Sequence, residues 1–272
     1  MQTIKLLNPG NAKDWRHELA NAITSADELL QVLELEHLRT RLIQRPAFRL
    51  LIPRAYVNKM RKQDADDPLL KQVLPLALEN TGTGLKDPVG DLHAMPTPGL
   101  LHKYKGRALL ITTGACAIHC RYCFRRHFPY AGSNPGKNEW KQMLDYLSSH
   151  RDIEEIIFSG GDPLVLDNEK LQDLFLTLEK IPHIQWLRIH TRLPVVLPSR
   201  IDDALVTLVQ KLRFRTTIVI HSNHANELMH DEYEALQRLD AAGVTLLNQS
   251  VLLKTVNDSA AALIALSKRL HQ

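Results

Sequence analysis

The sequence predicts an α/β protein built on a parallel β-sheet. Short runs rich in β-branched residues alternate with amphipathic segments of helical spacing through residues 100–272. This order implies parallel strands joined by right-handed crossover helices. The helical segments include NEWKQMLDYLSSH and DEYEALQRLDAAG. The five strand candidates are Ala108–Thr113, Glu155–Phe158, Trp186–Ile189, Thr216–Ile220 and Val244–Asn248.

Polar motifs follow every one of these strand candidates. GACAIHCRYC follows the first strand, SGGDP the second, HTR the third, HSNHANE the fourth and QS the fifth. In folds of this kind the chemistry collects at the carboxyl ends of the strands. We therefore expect one functional site at that edge of the sheet.

The segments before the sheet have a different composition. Residues 1–80 indicate helices, because Ser25 to Glu28 forms a capping box and FRLLIPRAYVNKMRK has apolar residues at helical spacing, interrupted by Pro53. Residues 81–99 are rich in Gly, Pro, Asp and Thr, which is typical of a linker loop. The predicted organisation is a helical region (1–80), a linker (81–99) and an α/β region (100–272).

Composition excludes several classes of protein. The N-terminal residues MQTIKLLNPGNAKDW lack the apolar stretch of a secretory signal, and no run approaches the roughly 18 apolar residues of a membrane span. We therefore expect a cytoplasmic protein with no membrane partner. The formal net charge of +4 is spread along the chain without a basic tract, so we expect no nucleic-acid partner.

The cysteines indicate a metal centre. Cys116, Cys120 and Cys123 are the chain's only cysteines, spaced CxxxCxxC, and an odd, close set does not suit a disulfide framework. Three thiolates on an iron–sulfur cubane would leave one iron free for another ligand. The alternative is a structural zinc site completed by His119 or His127. We favour the cluster, because zinc sites usually pair two cysteine knuckles and this chain has one cysteine group.

These motifs resemble the radical S-adenosylmethionine (SAM) superfamily, in which CxxxCxxC follows the first strand of a βα barrel. The surrounding segments narrow the resemblance to the lysine 2,3-aminomutase family. They are GLLHKYKGRALLITTGACAIHCRYCFRRHFPY, FSGGDPL, LRIHTRLPVVLPSRI, HSNHANE and GVTLLNQSVLLKTVND. Within the family, CRYCFRRHFPY and the short helical N-terminus are most similar to the EpmB branch, which works with elongation factor P.

The resemblance implies a fold and a set of ligands. The fold is a radical SAM partial (βα)6-type barrel, with five of six strands present, after an N-terminal helical region. Cys116, Cys120 and Cys123 would hold a [4Fe-4S] cluster. Read by itself, GGDP is an ordinary turn into a helix, but its place after the second strand matches the family's SAM-binding turn. The positions implied to contact SAM are Tyr122, beside the adenine, and Gly160, Gly161, Asp162 and Gln249.

The resemblance also implies sites for substrate and for pyridoxal phosphate (PLP). Arg125 would grip the substrate carboxylate, a role suited to a guanidinium fork, and the alternative is a solvated loop arginine. Three positions match those that hold the PLP phosphate, with a basic strand entrance as the alternative: Lys103, Tyr104 and Arg107. Three histidines would line the same mouth in catalytic or structural hydrogen-bonding roles: His190, His221 and His224.

Family members continue several dozen residues past the position of Gln272. The resemblance implies that this stretch carries the sixth strand and the lysine that forms a Schiff base with PLP. No lysine of this sequence matches that position, and Lys254 occupies one that is merely basic. We therefore assign no catalytic residue, and we expect weak PLP binding, little or no activity, and an unpaired edge on the fifth strand.

The predicted function is that of an isomerase. The resemblance implies a SAM- and PLP-dependent lysine 2,3-aminomutase that converts (S)-α-lysine to (R)-β-lysine for elongation factor P modification. Its partners would be lysine, elongation factor P and the ligase that transfers the lysyl group. The alternatives are a free-lysine 2,3-aminomutase and a non-catalytic metal-binding or interaction protein.

Overall fold

A six-stranded sheet forms the centre of the computed structural model, which describes residues 14–43, 49–77, 79, 84–130 and 137–272. The strands lie side by side in chain order, and β2 to β6 pair in parallel, whereas β1 pairs antiparallel with β2. The strands are β1 (Leu100–Tyr104), β2 (Arg107–Thr113), β3 (Glu155–Gly160), β4 (Trp186–Thr191), β5 (Arg215–His221) and β6 (Thr245–Gln249).

Helices precede the sheet and connect its parallel strands. Several begin at a side-chain cap, and the one that the sequence predicts is confirmed: Ser25 accepts a hydrogen bond from the Glu28 amide at 3.4 Å. The helices are α1 (Trp15–Ala20), α2 (Ala26–Val32), α3 (Arg54–Val57), α4 (Lys137–Ser149), α5 (Asn168–Glu179), α6 (Leu193–Val196), α7 (Asp203–Gln210), α8 (His230–Ala241) and α9 (Ala260–Leu270).

The predicted parallel α/β fold is confirmed. Strands β2 to β6 overlap the five strand candidates, and each observed strand differs from its prediction by at most two residues at either end. Strand β1 was missed, because LLHKY buries only its first two residues and has no alternation along its length. A tight turn at Gly106, with φ of 81°, returns the chain from β1 to β2.

The two faces of the sheet differ in chemistry. In β4, Leu187 and Ile189 are buried against the core, whereas the alternating residues Arg188 and His190 point to the opposite face. Phe158 of β3 stacks on Phe175 of α5 at a ring separation of 5.6 Å. The helix-covered face is therefore the hydrophobic core, and the other face is free to present polar groups.

Residues 49–77 pack against the carboxyl end of the sheet. The Lys59 ammonium, for example, donates to the carbonyl oxygens of Val195 and Glu227. Some predictions lie partly outside the described residues: most of the N-terminal segment judged not to be a secretory signal (1–13), other parts of the predicted helical region (44–48, 78 and 80), and linker positions 81–83. Within the described ranges, no helix has the length and apolar character needed to span a bilayer.

Candidate active site

A cavity of about 310 Å³ lies at the carboxyl ends of the parallel strands. All the residues predicted to bind the cluster or SAM line it, together with Arg125 and two of the three predicted histidines. The structure therefore brings these residues together at the carboxyl edge of the sheet, and their roles stay predictions. These residues are Cys116, Cys120, Tyr122, Cys123, Arg125, Gly160, Gly161, Asp162, His190, His221 and Gln249.

The three cysteines are free thiols whose sulfur atoms do not all lie within 4.8 Å of one another. A single tetrahedral zinc ion, with Zn–S bonds of about 2.3 Å, would hold thiolate sulfurs about 3.8 Å apart. The ring of His119 lines a different cavity, and its Nδ1 lies 2.6 Å from the Arg49 carbonyl oxygen. The donor set thus fits a larger inorganic group better than a zinc ion completed by His119.

Burial favours the protonated form of the Cys116 and Cys123 thiols. It raises the pKa of the Cys116 thiol well above its usual value, and the Asp162 carboxylate raises it further. Burial likewise raises the pKa of Cys123, with Cys120 adding to the effect. Binding iron would release these protons, because the thiolate is the ligand form.

The turn at the end of β3 (residues 160–162, the glycine turn) packs directly against the loop that follows β2 (residues 114–123, the cysteine loop). The Gly161 amide donates to the Thr113 carbonyl oxygen at 2.7 Å, and the Asp162 amide donates to that of Ala115 at 2.8 Å. A Cβ atom on Gly161 would lie 2.1 Å from the Ala115 oxygen. Gly160 has φ of 118°, and a Cβ there would lie 2.6 Å from the Thr113 oxygen. Only glycine allows this approach.

The Asp162 carboxylate ties this turn to the end of β4. It accepts hydrogen bonds from the Thr191 hydroxyl and the Arg192 amide, both at 2.7 Å, and from the Leu164 amide at 3.1 Å. Burial raises the pKa of Asp162 overall, although these donors act against that shift. The side chain therefore orders the turn, and its predicted contact with SAM stays a prediction.

His190 and Gln249 bridge the ends of β4 and β6. The His190 Nδ1 lies 3.0 Å from the Gln249 Oε1, an arrangement in which the ring nitrogen donates. Burial lowers the pKa of His190, so the ring is neutral near pH 7. Its Nε2 atom is buried and, among the described residues, has no hydrogen-bond partner. The pair thus leaves an unused acceptor beside the cavity, as a binding site for a ligand donor would.

Arg192 is the site residue that sequence reasoning missed, since HTR was noted only as a motif. Its guanidinium donates to the Cys120 Sγ at 2.7 Å and to the Glu227 carboxylate at 2.9 Å. It also donates to Gln72 at 2.7 Å and to the Tyr56 hydroxyl at 3.1 Å. An arginine directly after β4 was the available signal, but nothing in the sequence pairs it with Glu227.

Arg125 and Lys103 share a buried carboxylate. Arg125 donates to Asp91 at 2.8 Å and to the Ser159 hydroxyl at 2.9 Å, and Lys103 also forms an ion pair with Asp91. Arg125 is only 8% exposed, so the alternative of a solvated loop arginine is wrong. Asp91 lies in the predicted linker, and nothing in its local sequence distinguished it.

A second cavity, of about 240 Å³, is lined by all the predicted PLP-phosphate positions. Tyr104 is largely exposed, and Arg107 forms an ion pair with Glu155 at 3.6 Å. The three cations on its wall outnumber its one lining carboxylate, so the cavity suits an anion. The cations and the carboxylate are Lys103, Arg107, Arg125 and Asp91.

Three residues named in the sequence analysis remain: His221, His224 and Lys254. His221 lies 3.3 Å from the Asn223 amide oxygen and packs beside the Tyr122 ring, and burial lowers its pKa to about 4. His224 accepts from the Asn226 amide at 3.1 Å and begins the turn Ala225–Glu227, outside the cavity lining. Lys254 is exposed and does not line the cavity either.

Comparison with known proteins places the chain in a class and then in a family. Residues 110–266 match the radical SAM superfamily, which implies a [4Fe-4S] cluster and SAM as cofactors. The chain is 46% identical to the L-lysine 2,3-aminomutase of Escherichia coli K12, over 99% of this chain and 80% of that protein. The chain belongs to the lysine 2,3-aminomutase family of radical SAM isomerases.

Other relatives agree with this assignment. The L-lysine 2,3-aminomutase of Haemophilus influenzae is also 46% identical, over 96% of this chain and 78% of the relative. That of Clostridium subterminale is 34% identical, over 94% of this chain and 63% of the relative. The resemblance that the sequence motifs predicted is therefore confirmed at the level of the family.

Proposed function

We propose that this chain belongs to an enzyme that catalyses the lysine 2,3-aminomutase reaction, the conversion of (S)-α-lysine to (R)-β-lysine, with a [4Fe-4S] cluster, SAM and PLP. Because none of its lysines matches the PLP Schiff-base position, we expect little or no turnover from these 272 residues alone. The observation that carries the proposal is the shared cavity, in which three free thiols face the glycine turn and the His190–Gln249 pair. The names of the relatives support lysine as the substrate.

Each set of cavity residues has a distinct role in this proposal. The three cysteines ligate the cluster, and the glycine turn, Asp162, Tyr122 and Gln249 orient SAM. When bound, the cluster and SAM would supply the radical chemistry that removes a substrate hydrogen, and PLP would hold the migrating amino group. The cavity walls exclude water, which protects such reactive species.

We place the anionic groups on the cations of the second cavity. Arg125 lines both cavities, so it is positioned to hold the substrate carboxylate between the SAM site and the PLP site. The PLP phosphate binds Lys103, Tyr104 and Arg107, and it must compete with Asp91 for Lys103.

Replacing Lys103 with methionine should weaken PLP binding in an absorbance titration, whereas the same change at the exposed turn residue Lys105 should not.

We further propose that the β-lysine serves the modification of elongation factor P by a partner ligase in the cytoplasm. The similarity of CRYCFRRHFPY supports this branch of the family, and the free thiols suit a reducing compartment. The alternative is a free-lysine enzyme of other pathways. Cells that lack this protein distinguish them: loss of the lysyl modification of elongation factor P would support the proposed branch, and its retention would favour the alternative.

Anaerobic reconstitution with iron and sulfide tests the proposed centre. We expect a broadly absorbing cluster, 5′-deoxyadenosine after addition of dithionite and SAM, and loss of both in the Cys120→Ala variant. Uptake of one zinc ion without a cluster would contradict the proposal and favour the non-catalytic alternative. Borohydride treatment with one equivalent of PLP should leave no stoichiometric adduct on a single lysine of these 272 residues, because no lysine matches the Schiff-base position.

A further inference from the structure

One arginine connects the loops that follow four consecutive strands. Arg192, at the end of β4, gives its amide to Asp162 after β3 and its guanidinium to Cys120 after β2. The same guanidinium pairs with Glu227 after β5. Arg192 therefore contacts the glycine turn through its backbone and the cysteine loop through its side chain.

The pair is buried, and its carboxylate is fixed. Arg192 is 5% exposed and Glu227 is fully buried. Glu227 accepts from the Asn223 amide at 2.8 Å, the His224 amide at 2.9 Å and the Gln72 side chain at 3.1 Å. Because little water screens these two buried side chains, their charges act strongly on any neighbouring charge.

The charges of both partners persist near neutral pH. Burial by itself would raise the pKa of Glu227, but the Arg192 guanidinium and its hydrogen bonds hold that pKa below the usual value. Arg192 keeps its positive charge, because a guanidinium does not lose its proton at ordinary pH. One positive and one negative charge therefore stand behind Cys120.

We propose that Arg192 and Glu227 set the reduction potential of the metal centre through Cys120, with Arg192 raising it and Glu227 lowering it. Potentials of iron–sulfur centres depend on net charge and on hydrogen bonds to the sulfurs. A cationic donor at 2.7 Å from the Cys120 Sγ favours the more negative, reduced state, and the carboxylate behind it partly offsets that effect. Arg192 acts through a ligand and is a positioning residue.

This inference rests on the proposed function, and opposite charge changes test it. The variants are Arg192→Gln, Arg192→Lys and Glu227→Gln, each reconstituted anaerobically and assayed for iron, sulfide and midpoint potential by mediated spectroscopic titration. Arg200→Gln is the matched control, because Arg200 is also buried but its hydrogen bonds go to Leu164, Leu166 and Asn168.

The expected shifts have opposite signs. Arg192→Gln should lower the equilibrium constant for one-electron reduction about tenfold or more, which corresponds to 59 mV towards negative potential. Glu227→Gln should shift the potential in the positive direction, and Arg192→Lys should restore most of the wild-type value. Arg200→Gln should shift it much less. A merely structural role would not give opposite signs for the two members of one ion pair.

The outcomes separate the inference from the proposed function. If the wild-type chain takes up no cluster, both are wrong. If it forms a cluster that cleaves SAM but the potential stays unchanged in the variants, or moves the same way in both Arg192→Gln and Glu227→Gln, the inference is wrong and the proposed function stands. If Arg192→Gln does not hold a cluster, Glu227→Gln decides: a positive shift supports the inference, and no shift or a negative shift overturns it.

Discussion

Gly161 has no room for any side chain. Replacing it with alanine would force a Cβ to 2.1 Å from the Ala115 carbonyl oxygen, and backbone on both sides must then separate. Overpacking of this kind costs about 1–3 kcal/mol. We expect Gly161→Ala to lower the free energy of unfolding by that amount and to reduce cluster uptake, measured by denaturant titration and iron content.

Gly84→Ala is the control for this change, because nothing lies within 4 Å of the added atom and the backbone needs no positive φ. Its unfolding free energy and iron content should match those of the wild type. Equal behaviour of Gly84→Ala and Gly161→Ala would show that the close approach of the glycine turn to the cysteine loop does not exist.

His221 should make the stability of the apo chain depend on pH. Burial, assisted by Arg192, lowers its pKa to about 4, whereas the unfolded chain has an ordinary value near 6.5. Between these values the unfolded chain binds a proton that the folded chain does not. The free energy of unfolding should therefore fall as pH decreases from about 6.5 to 4, by up to about 1.4 kcal/mol per pH unit from this group.

The His221→Gln variant isolates this contribution. Denaturant titrations at several pH values should give a shallower slope for the variant than for the wild type in that window. The lowered pKa values of His119, His190 and His224 and the raised pKa of Asp162 also affect the slope, but they act in both proteins. Parallel slopes would rule out a neutral, buried His221.

At the scale of the elements, a buried ion pair fastens the segment after α3 to helix α8. The Lys59 ammonium lies 2.8 Å from the Glu232 carboxylate, and both side chains are at most 6% exposed. Removing one partner strands the other charge, which costs about 3–5 kcal/mol. Lys59→Met should therefore lower the free energy of unfolding by about this much in denaturant titrations.

A double variant checks the cause of that loss. Lys59→Met combined with Glu232→Gln removes the charge of both partners of this pair, and glutamine can still accept from the Met229 amide as Glu232 does. The double variant should therefore be more stable than Lys59→Met. If the two single changes simply add, the pair is not coupled.

At the scale of the whole molecule, the described sheet is open, with β1 at one edge and β6 at the other. Leu247 of β6 is 49% exposed, and an exposed apolar edge favours pairing between chains. We expect Leu247→Lys to reduce self-association, measured by static light scattering over a range of protein concentrations. The same substitution at Leu176, which is 50% exposed on the helix that joins the inner strands β3 and β4, should have little effect.

Much of the fold and part of the site could be predicted from local sequence. The period of the apolar residues identified β2 to β6, and the cysteine spacing and the glycine pair identified the motifs at their ends. Strand β1 escaped, since it lacks such a period. Helix caps such as Ser25 were predictable because the donor and acceptor are three residues apart.

The sequence by itself determined the family, the parallel sheet and the edge at which the cysteines, the glycine turn and Gln249 gather. Only the tertiary structure decided which charges meet there. Arg192 joins Cys120 to Glu227, and Asp91 joins Lys103 to Arg125, across separations of 12 to 72 residues. The physical reason is that an ion pair between distant residues produces no repeating pattern in the sequence, because the packing of loops far apart in the chain brings its partners together.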